Sequence, residues 1–342
     1  MCWEGRNAVL SSQGTTAPAL AIEACALTRC YGALVAVDHL SLAVGRGEAF
    51  AFLGPNGAGK TTTIRMLTGL IRPSGGTALI DGLDIARDAM AAKARVGVVP
   101  QRSNLYGELS ARDNLVFVAQ LYGLPSRRWR ARADELLDQF GLSEKAGVPF
   151  STLSGGMKRR LTIAAALVHE PSILFLDEPT TGLDVLSARN LRALVGDLKG
   201  RGITIFLTTH LITEAEQLAS RVGIIVKGRL IAVDTPAGLR ARTHGEDVLE
   251  VTIPEPAEAL LAALRGAATV RALSRAGDTL RLTVSTVDAG LRTLTEVTQR
   301  YGACIANVRT VAPSLEDAFV RLTQVDAEAM RNGPRSQGGD AP

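Results

Sequence analysis

The chain has 342 residues, 46% of them hydrophobic, with 38 basic against 34 acidic side chains, a formal charge of +4 and an isoelectric point near 9.0. That apolar content supports two folded domains and excludes a disordered protein, and so even a charge balance gives no electrostatic case for a nucleic-acid partner. No uncharged apolar run reaches the roughly 18 residues of a membrane-spanning helix, so any span is expected from another subunit.

Residues 1–19 mix Ser, Gln, Gly, Thr and Pro without the basic start and apolar core of a secretory signal, and read as a disordered tail. From Leu20 to Gly82 short apolar stretches separated by Gly, Asp and Arg predict strands, interrupted by one helix over Lys60–Thr68 with Gly69 as its C-cap. Between Ser103 and Pro171 the periodicity turns helical. Three segments there open on a serine suited to N-capping, Ser110, Ser126 and Ser154, and together they read as an inserted helical subdomain at about 103–171. Buried-strand runs at Ile173–Leu176 and Ile203–Thr208, with a helix over Val185–Leu198 between them, fit a parallel sheet, and a hairpin at Lys227–Arg229 closes the domain. Beyond it come a strand (Val248–Ile253), a helix (Pro256–Arg265), strands either side of Ala276–Asp278, a helix (Ala289–Tyr301) and a strand (Cys304–Val311). That order is a ferredoxin-like βαββαβ. A helix, "SLEDAFVRLT", follows, and 325–342 read as a second disordered tail.

The stretch "FLGPNGAGKTTT" carries the first chemistry. Gly54–Thr61 fit G-x-x-x-x-G-K-[ST] between a strand and a helix, a phosphate cradle in which absent side chains let backbone N–H groups converge on a triphosphate. Gly54, Pro55, Asn56, Gly57, Ala58 and Gly59 form the loop, Lys60 supplies a point charge, Thr61 sets a hydroxyl on Mg²⁺, and Thr62 follows. In "ILFLDEPTTGLD", at the carboxyl end of a buried strand, Asp177 is the expected Mg²⁺ partner through water, and Glu178 takes the proton of an attacking water or orients it. An ordinary acidic turn is the alternative, weakened by the four apolar residues before it. "SRRWRAR", 126–132, reads either as an RNA or lipid contact or as a solvated helix face with Arg130 and Asp134 as an i,i+4 pair. Cys2, Cys25, Cys30 and Cys304 match no zinc or redox spacing and are expected as reduced thiols, while His39, His169 and His244 read as surface or satisfied positions.

"LSGGMKRRL", Leu153–Leu161, resembles the signature motif of the ATP-binding cassette family, the ATPase subunits of ABC transporters. With Gly54–Thr62, "PQ" at Gln101, "LDE" at Asp177 and Glu178, "GLD" at Asp184 and "TTH" at His210, it completes that family's motif set in order over residues 20 to 235. The resemblance implies an α/β P-loop NTPase core with an antiparallel β subdomain and the helical insert, over 20–240. It also implies a nucleotide sandwich in which Ser154 and the backbone of Gly155 and Gly156 bind the γ-phosphate of ATP held by a second protomer. By the same resemblance Tyr31 stacks on adenine, against a buried core tyrosine as alternative. Gln101 touches the metal or lytic water and couples to the membrane subunit, His210 contacts the γ-phosphate, and Asp184 crosses the dimer interface. The residues agree in one respect: "SGG" opens a helix and makes a second anion-binding terminus in one chain, so facing copies would give a symmetric dimer with two composite sites. Met157 departs from the glutamine common at its position, which bears on interface detail.

The order from "LTRCYGALVAVDHLSLAVGRGE" through "GVVPQ" to "PSLEDAFVRLT" is similar to the bacterial daunorubicin-resistance type of export ATPase, a group that includes sodium and Nod-factor exporters. This implies a homodimer under two copies of a separate permease, peripheral on the cytoplasmic face of the plasma membrane, binding ATP and Mg²⁺ and moving a hydrophobic or amphipathic substrate outward. Residues 245–324 would be a regulatory or dimer-stabilising domain. An importer ATPase is the alternative. A soluble cassette protein on ribosomes or DNA fits less well, because the chain has one cassette and no heptad run.

Overall fold

In the computed structural model, which describes residues 19–242, 247–311 and 314–323, the alternating residues near the start form two long strands, β1 (Leu20–Tyr31) and β2 (Leu34–Gly45). They pair antiparallel, with Ala24 opposite Leu42 and Leu27 opposite Leu40, so their apolar faces lie together in the core. β3 (Ala49–Leu53), buried at all five positions, leads into the glycine loop and α1 (Lys60–Leu67), which ends one residue before the expected boundary. The amides of Gly69 and Leu70 close onto the carbonyls of Met66 and Arg65 and stop the helix there. β4 (Gly75–Ile80) and β5 (Leu83–Asp84) complete an antiparallel sheet in the order β2-β1-β4-β5.

After α2 (Ala89–Ala94) and β6 (Val96–Val99) comes the helical segment: α3 (Ala111–Leu121), α4 (Ser126–Gln139) and α5 (Gly155–Ala166). Ser110 and Ser154 cap α3 and α5, their hydroxyls accepting from the amides of Asp113 and Met157. Ser126 does not cap α4. Pro125, fixed at φ −59°, occupies the capping position and pushes the serine into the first turn. Nor does Asp134 take Arg130 as its partner; it accepts from Arg112 Nε of α3 at 2.6 Å, a contact between helices that outcompetes the local pair. Arg132 donates to the carbonyls of Leu167 and Val168 at the end of α5, so the arginine-rich stretch is partly used in packing the helices.

β7 (Ile173–Asp177), α6 (Val185–Gly200) and β8 (Thr204–Thr209) follow, in a sheet that runs β3-β8-β7-β6, with β6, β7 and β8 parallel, Ile173 beside Val96 and Asp177 beside Thr208. Phe206 sits at its centre, with ring centroids of Phe50, Phe52 and Phe175 between 5.3 and 5.6 Å away. Parallel pairing brings the loops after Val99 and Asp177 to one edge, where a site can form.

Residue contacts separate the chain into two units, one of residues up to Phe52 with Gly59–Thr209 and Lys227–Arg229, the other of Leu53–Ala58, His210–Val226 and residues from Leu230 onward. Beyond β8 the chain runs α7 (Ile212–Leu218), β9 (Arg221–Val226), β10 (Arg229–Asp234) and α8 (Pro236–Ala241). Lys227 and Gly228, both at positive φ, turn the chain between β9 and β10. There follow β11 (Asp247–Thr252), α9 (Glu258–Gly266), β12 (Val270–Ala276), β13 (Thr279–Val284), α10 (Val287–Arg300), β14 (Asn307–Val311) and α11 (Leu315–Thr323). Their sheet is ordered β12-β13-β11-β14 with every pair antiparallel, the ferredoxin-like arrangement, over a core that includes Leu249, Val251, Leu260, Leu264, Leu282 and Leu294. The last strand starts at Asn307, three residues later than the expected Cys304. Cys25, Cys30 and Cys304 are thiols, while Cys2, His244 and nearly all of the two expected tails lie outside the described residues. No helix among the described residues is long and apolar enough to cross a membrane.

A buried carboxylate fixes α11. Asp317, 3% exposed, accepts from Arg281 Nε at 3.0 Å and Nη2 at 2.8 Å and from the amide and hydroxyl of Ser314, both at 2.7 Å. Asp317→Ala removes two contacts of the guanidinium and the acceptor of the Ser314 amide and hydroxyl, while Glu250 Oε2 stays 2.9 Å from Arg281 Nη1; it is expected to lower the unfolding free energy by about 1–3 kcal/mol in urea denaturation.

Candidate functional site

The phosphate-cradle motif lies where the sequence puts it, between β3 and α1. A Cβ on Gly54 would stand 2.3 Å from the carbonyl oxygen of Ile225, so only glycine allows this close approach. Gly59, at φ +103°, occupies the N-cap position of α1 in the left-handed region, and no side chain caps the helix. The amide of Ala58 turns back to the carbonyl of Pro55 at 3.2 Å, while Asn56 and Gly57 are exposed at the tip. A helix that starts this way presents its positive end to an anion.

Lys60, 5% exposed, points to the carboxyl end of β7, where its Nζ lies 3.0 Å from Glu178 Oε1. The other carboxylate oxygen of Glu178 accepts from Thr181 Oγ1 at 3.0 Å. Glu178 is 7% exposed and its backbone has φ +45°, a conformation an L-residue adopts at a cost of order 1–3 kcal/mol and one that recurs at functional sites. Its amide is held by the carbonyl and hydroxyl of Thr208, both at 3.1 Å. Asp177 accepts from Thr61 Oγ1 at 2.9 Å with one oxygen and from Thr208 Oγ1 at 2.6 Å with the other. Thr208 thus orients both acidic residues. Its signal in the sequence is a hydroxyl at the end of a strand that must pair beside "FLDE", visible only once β7 and β8 are known to be neighbours.

The donor set fits a hard divalent cation: a hydroxyl and a carboxylate face each other, oxygen donors both, and among the described residues no group of three His, Cys, Asp or Glu side chains could hold a metal unaided. Magnesium is ordinarily held in this way, by one or two protein oxygens together with phosphates.

A second cluster forms at the start of α5. Ser154 caps it, Gly155 has open space where a Cβ would be, and a Cβ on Gly156 would lie 2.5 Å from Ser187 Oγ. Ser187 belongs to the first turn of α6, where its amide and hydroxyl donate to Asp184 at 2.8 and 2.7 Å. Those two bonds hold the Asp184 carboxyl below the usual carboxylate range. Gly156 therefore brings the starts of α5 and α6 together, with Ser187 as a contact not anticipated from motif spacing. Gln101 lies exposed in the bend after β6, and His210 is half-buried directly after β8. Tyr31, 44% exposed at the end of β1 with the Arg29 guanidinium 4.7 Å over its ring, is no core residue. His39 is exposed; His169, half-buried against the Tyr122 ring, bonds the carbonyl of Val96 and has its pKa lowered by burial.

A family model described as ABC transporter matches residues 37–181. The Nod factor export ATP-binding protein I of Paraburkholderia xenovorans (strain LB400) is 43% identical over 311 residues, 90% of this chain and 98% of that protein. The daunorubicin resistance ATP-binding protein DrrA2 of Streptomyces coeruleorubidus is 41% identical over 306 residues, 89% of this chain and 95% of that protein. Among solved structures, an ATP-binding subunit of an ABC transporter aligns with a TM-score of 0.59 and 32% identity, covering 65% of this chain and 92% of that one. A dimeric ATP-binding cassette in a post-hydrolysis state, bound to ADP and Pi, aligns with a TM-score of 0.57 and 25% identity, covering 63% of this chain and 98% of that one.

Thr208→Val keeps the shape of the residue and removes the hydroxyl shared by Asp177 and the Glu178 amide. It is expected to cost about 1–3 kcal/mol in urea denaturation; an unchanged midpoint would show that water replaces the hydroxyl at no cost.

Proposed function

This chain belongs to the ABC transporter family, and from that membership we propose that it binds and hydrolyses ATP to drive an exporter whose membrane span is a separate permease. The observation that carries the reading is the buried contact of Lys60 with Glu178 beside that of Thr61 with Asp177, at the carboxyl end of β7. The curated relatives are named for Nod factor export and daunorubicin resistance, which supports a hydrophobic or amphipathic cargo for this chain too.

Each group has a role its position suits. The loop from Gly54 to Gly59 and the start of α1, with Thr62, receive the phosphates, and Tyr31 offers an exposed ring face to adenine. Lys60 already has a counter-charge in Glu178. A triphosphate entering the loop competes for that lysine, and by taking it releases the carboxylate to face water. Glu178, held from behind by Thr208 and Thr181, then accepts the proton of the water that attacks the γ-phosphorus, and ADP leaves as the bond to its β-phosphate oxygen breaks. Thr61, Asp177 and Gln101 would hold Mg²⁺, which when bound offsets the charge of the phosphate oxygens. His210, following β8, contacts the γ-phosphate.

Ser154, Gly155 and Gly156 of one copy complete the site on a second copy, with Asp184 at the interface between them. The likeness to a dimeric cassette with ADP and Pi supports that arrangement. The domain over 245–324, which shows no cluster of catalytic type among its described residues, stabilises or regulates the dimer, and the pair docks on the cytoplasmic face of its membrane through the permease.

Turnover in Glu178→Gln should fall by about 100- to 10,000-fold in a phosphate-release assay while ATP is still bound; a parental rate would refute the assignment of the base. In Ser154→Arg, the added bulk should abolish hydrolysis and leave nucleotide binding to the single chain intact. Undiminished hydrolysis there would argue against a shared site.

A further inference from the structure

α5 carries three consecutive basic residues, Lys158, Arg159 and Arg160, and the middle one is buried. Lys158 Nζ donates to the carbonyl of Ser151 and Arg160 Nη1 to that of Phe140, both beside the helix segment itself. Arg159, 8% exposed, instead reaches the two loops at the carboxyl ends of β6 and β7. Its Nη1 donates to the carbonyl of Pro100 at 2.5 Å, its Nη2 to that of Asp177 at 3.1 Å, and its Nε to that of Pro179 at 2.8 Å. Pro100 precedes Gln101, and Asp177 and Pro179 flank Glu178. One planar fork thus spans both loops that carry the groups assigned to hydrolysis. Burying a guanidinium is costly unless it is hydrogen-bonded, and here each of its three nitrogens holds a main-chain carbonyl.

We propose that Arg159 is a positioning residue for ATP hydrolysis, locking the Gln101 bend and the Asp177–Glu178 turn to the helix that opens at Ser154. The proposal rests on the reading of Gln101 and Glu178 given above. Glu178 sits at positive φ, so its carboxylate direction depends on the turn being held from outside, and Arg159 grips the main chain on both sides of it. Arg159 lies five residues after Ser154, about 7.5 Å along the helix at 1.5 Å per residue. In a dimer with shared sites, one rigid helix then carries both the serine that closes the partner's site and the arginine that aligns this chain's own carboxylate. A lysine cannot substitute, since its three donors radiate from one nitrogen and cannot span carbonyls on separate loops.

The test compares Arg159→Lys, Arg159→Gln and Glu178→Gln in the full chain, with ATP-binding sites counted by titration with a non-hydrolysable ATP analogue. Arg159→Lys should lose on the order of 10- to 100-fold in kcat per titrated site, as a misplaced catalytic group does, with KM and analogue affinity within about twofold of the parent. A purely structural role would reduce the number of sites and leave turnover per site unchanged. Should Arg159→Lys not fold, Arg159→Gln, which keeps two N–H donors on a single nitrogen, reads the same quantity. Parental turnover per site in either arginine variant, with Glu178→Gln inactive, overturns the proposal alone. Parental turnover in Glu178→Gln overturns the site reading and the proposal with it.

Discussion

Lys60 and Glu178 meet at 3.0 Å with both side chains almost wholly out of water. Neither charge is stable there alone, because an uncompensated ion in a protein interior costs several kcal/mol. A ligand that takes the lysine from Glu178 must therefore bring negative charge of its own. A nucleotide triphosphate does, and under the proposed function its arrival would exchange one counter-ion of the lysine for another. In the function proposed above, the glutamate released by that exchange would be the group that accepts a proton, so that nucleotide binding and activation of the base would be one electrostatic event.

The fold exists around that contact in a definite sense. Lys60 opens α1, at the end of the loop that β3 delivers, and Glu178 follows β7, two strands away in the order β3-β8-β7. The strand between them supplies Thr208, whose hydroxyl and carbonyl hold Asp177 and the Glu178 amide. The phenylalanine cluster around Phe206 packs β3, β7 and β8 against one another. Close packing of that kind is what keeps a strained turn and a buried ion pair from relaxing.

What could be seen in the sequence was local. The glycine loop, the apolar run before Asp177 and the serine-led start of α5 are short patterns whose spacing carries its own geometry, and the βαββαβ order followed from periodicity and turn residues. Contacts made by tertiary packing were hidden. Asp134 turned to Arg112 on another helix although Arg130 stood at the right local spacing, and Pro125 displaced Ser126 from a cap that its residue type favoured. Thr208 and Ser187 act through neighbours distant in sequence. Within "KRR", nothing in composition distinguishes the buried Arg159 from the residues on either side of it. Only the rotation of α5 against β6 and β7 does so.

In the proposed mechanism a carboxylate and a phosphate compete for one lysine. Its most direct test is the equilibrium affinity for a non-hydrolysable ATP analogue, parent against Glu178→Gln, at concentrations where the chain stays monomeric. Removing the competing charge should tighten binding several-fold. Equal or weaker binding by the glutamine variant would contradict the exchange of counter-ions on which the mechanism is built.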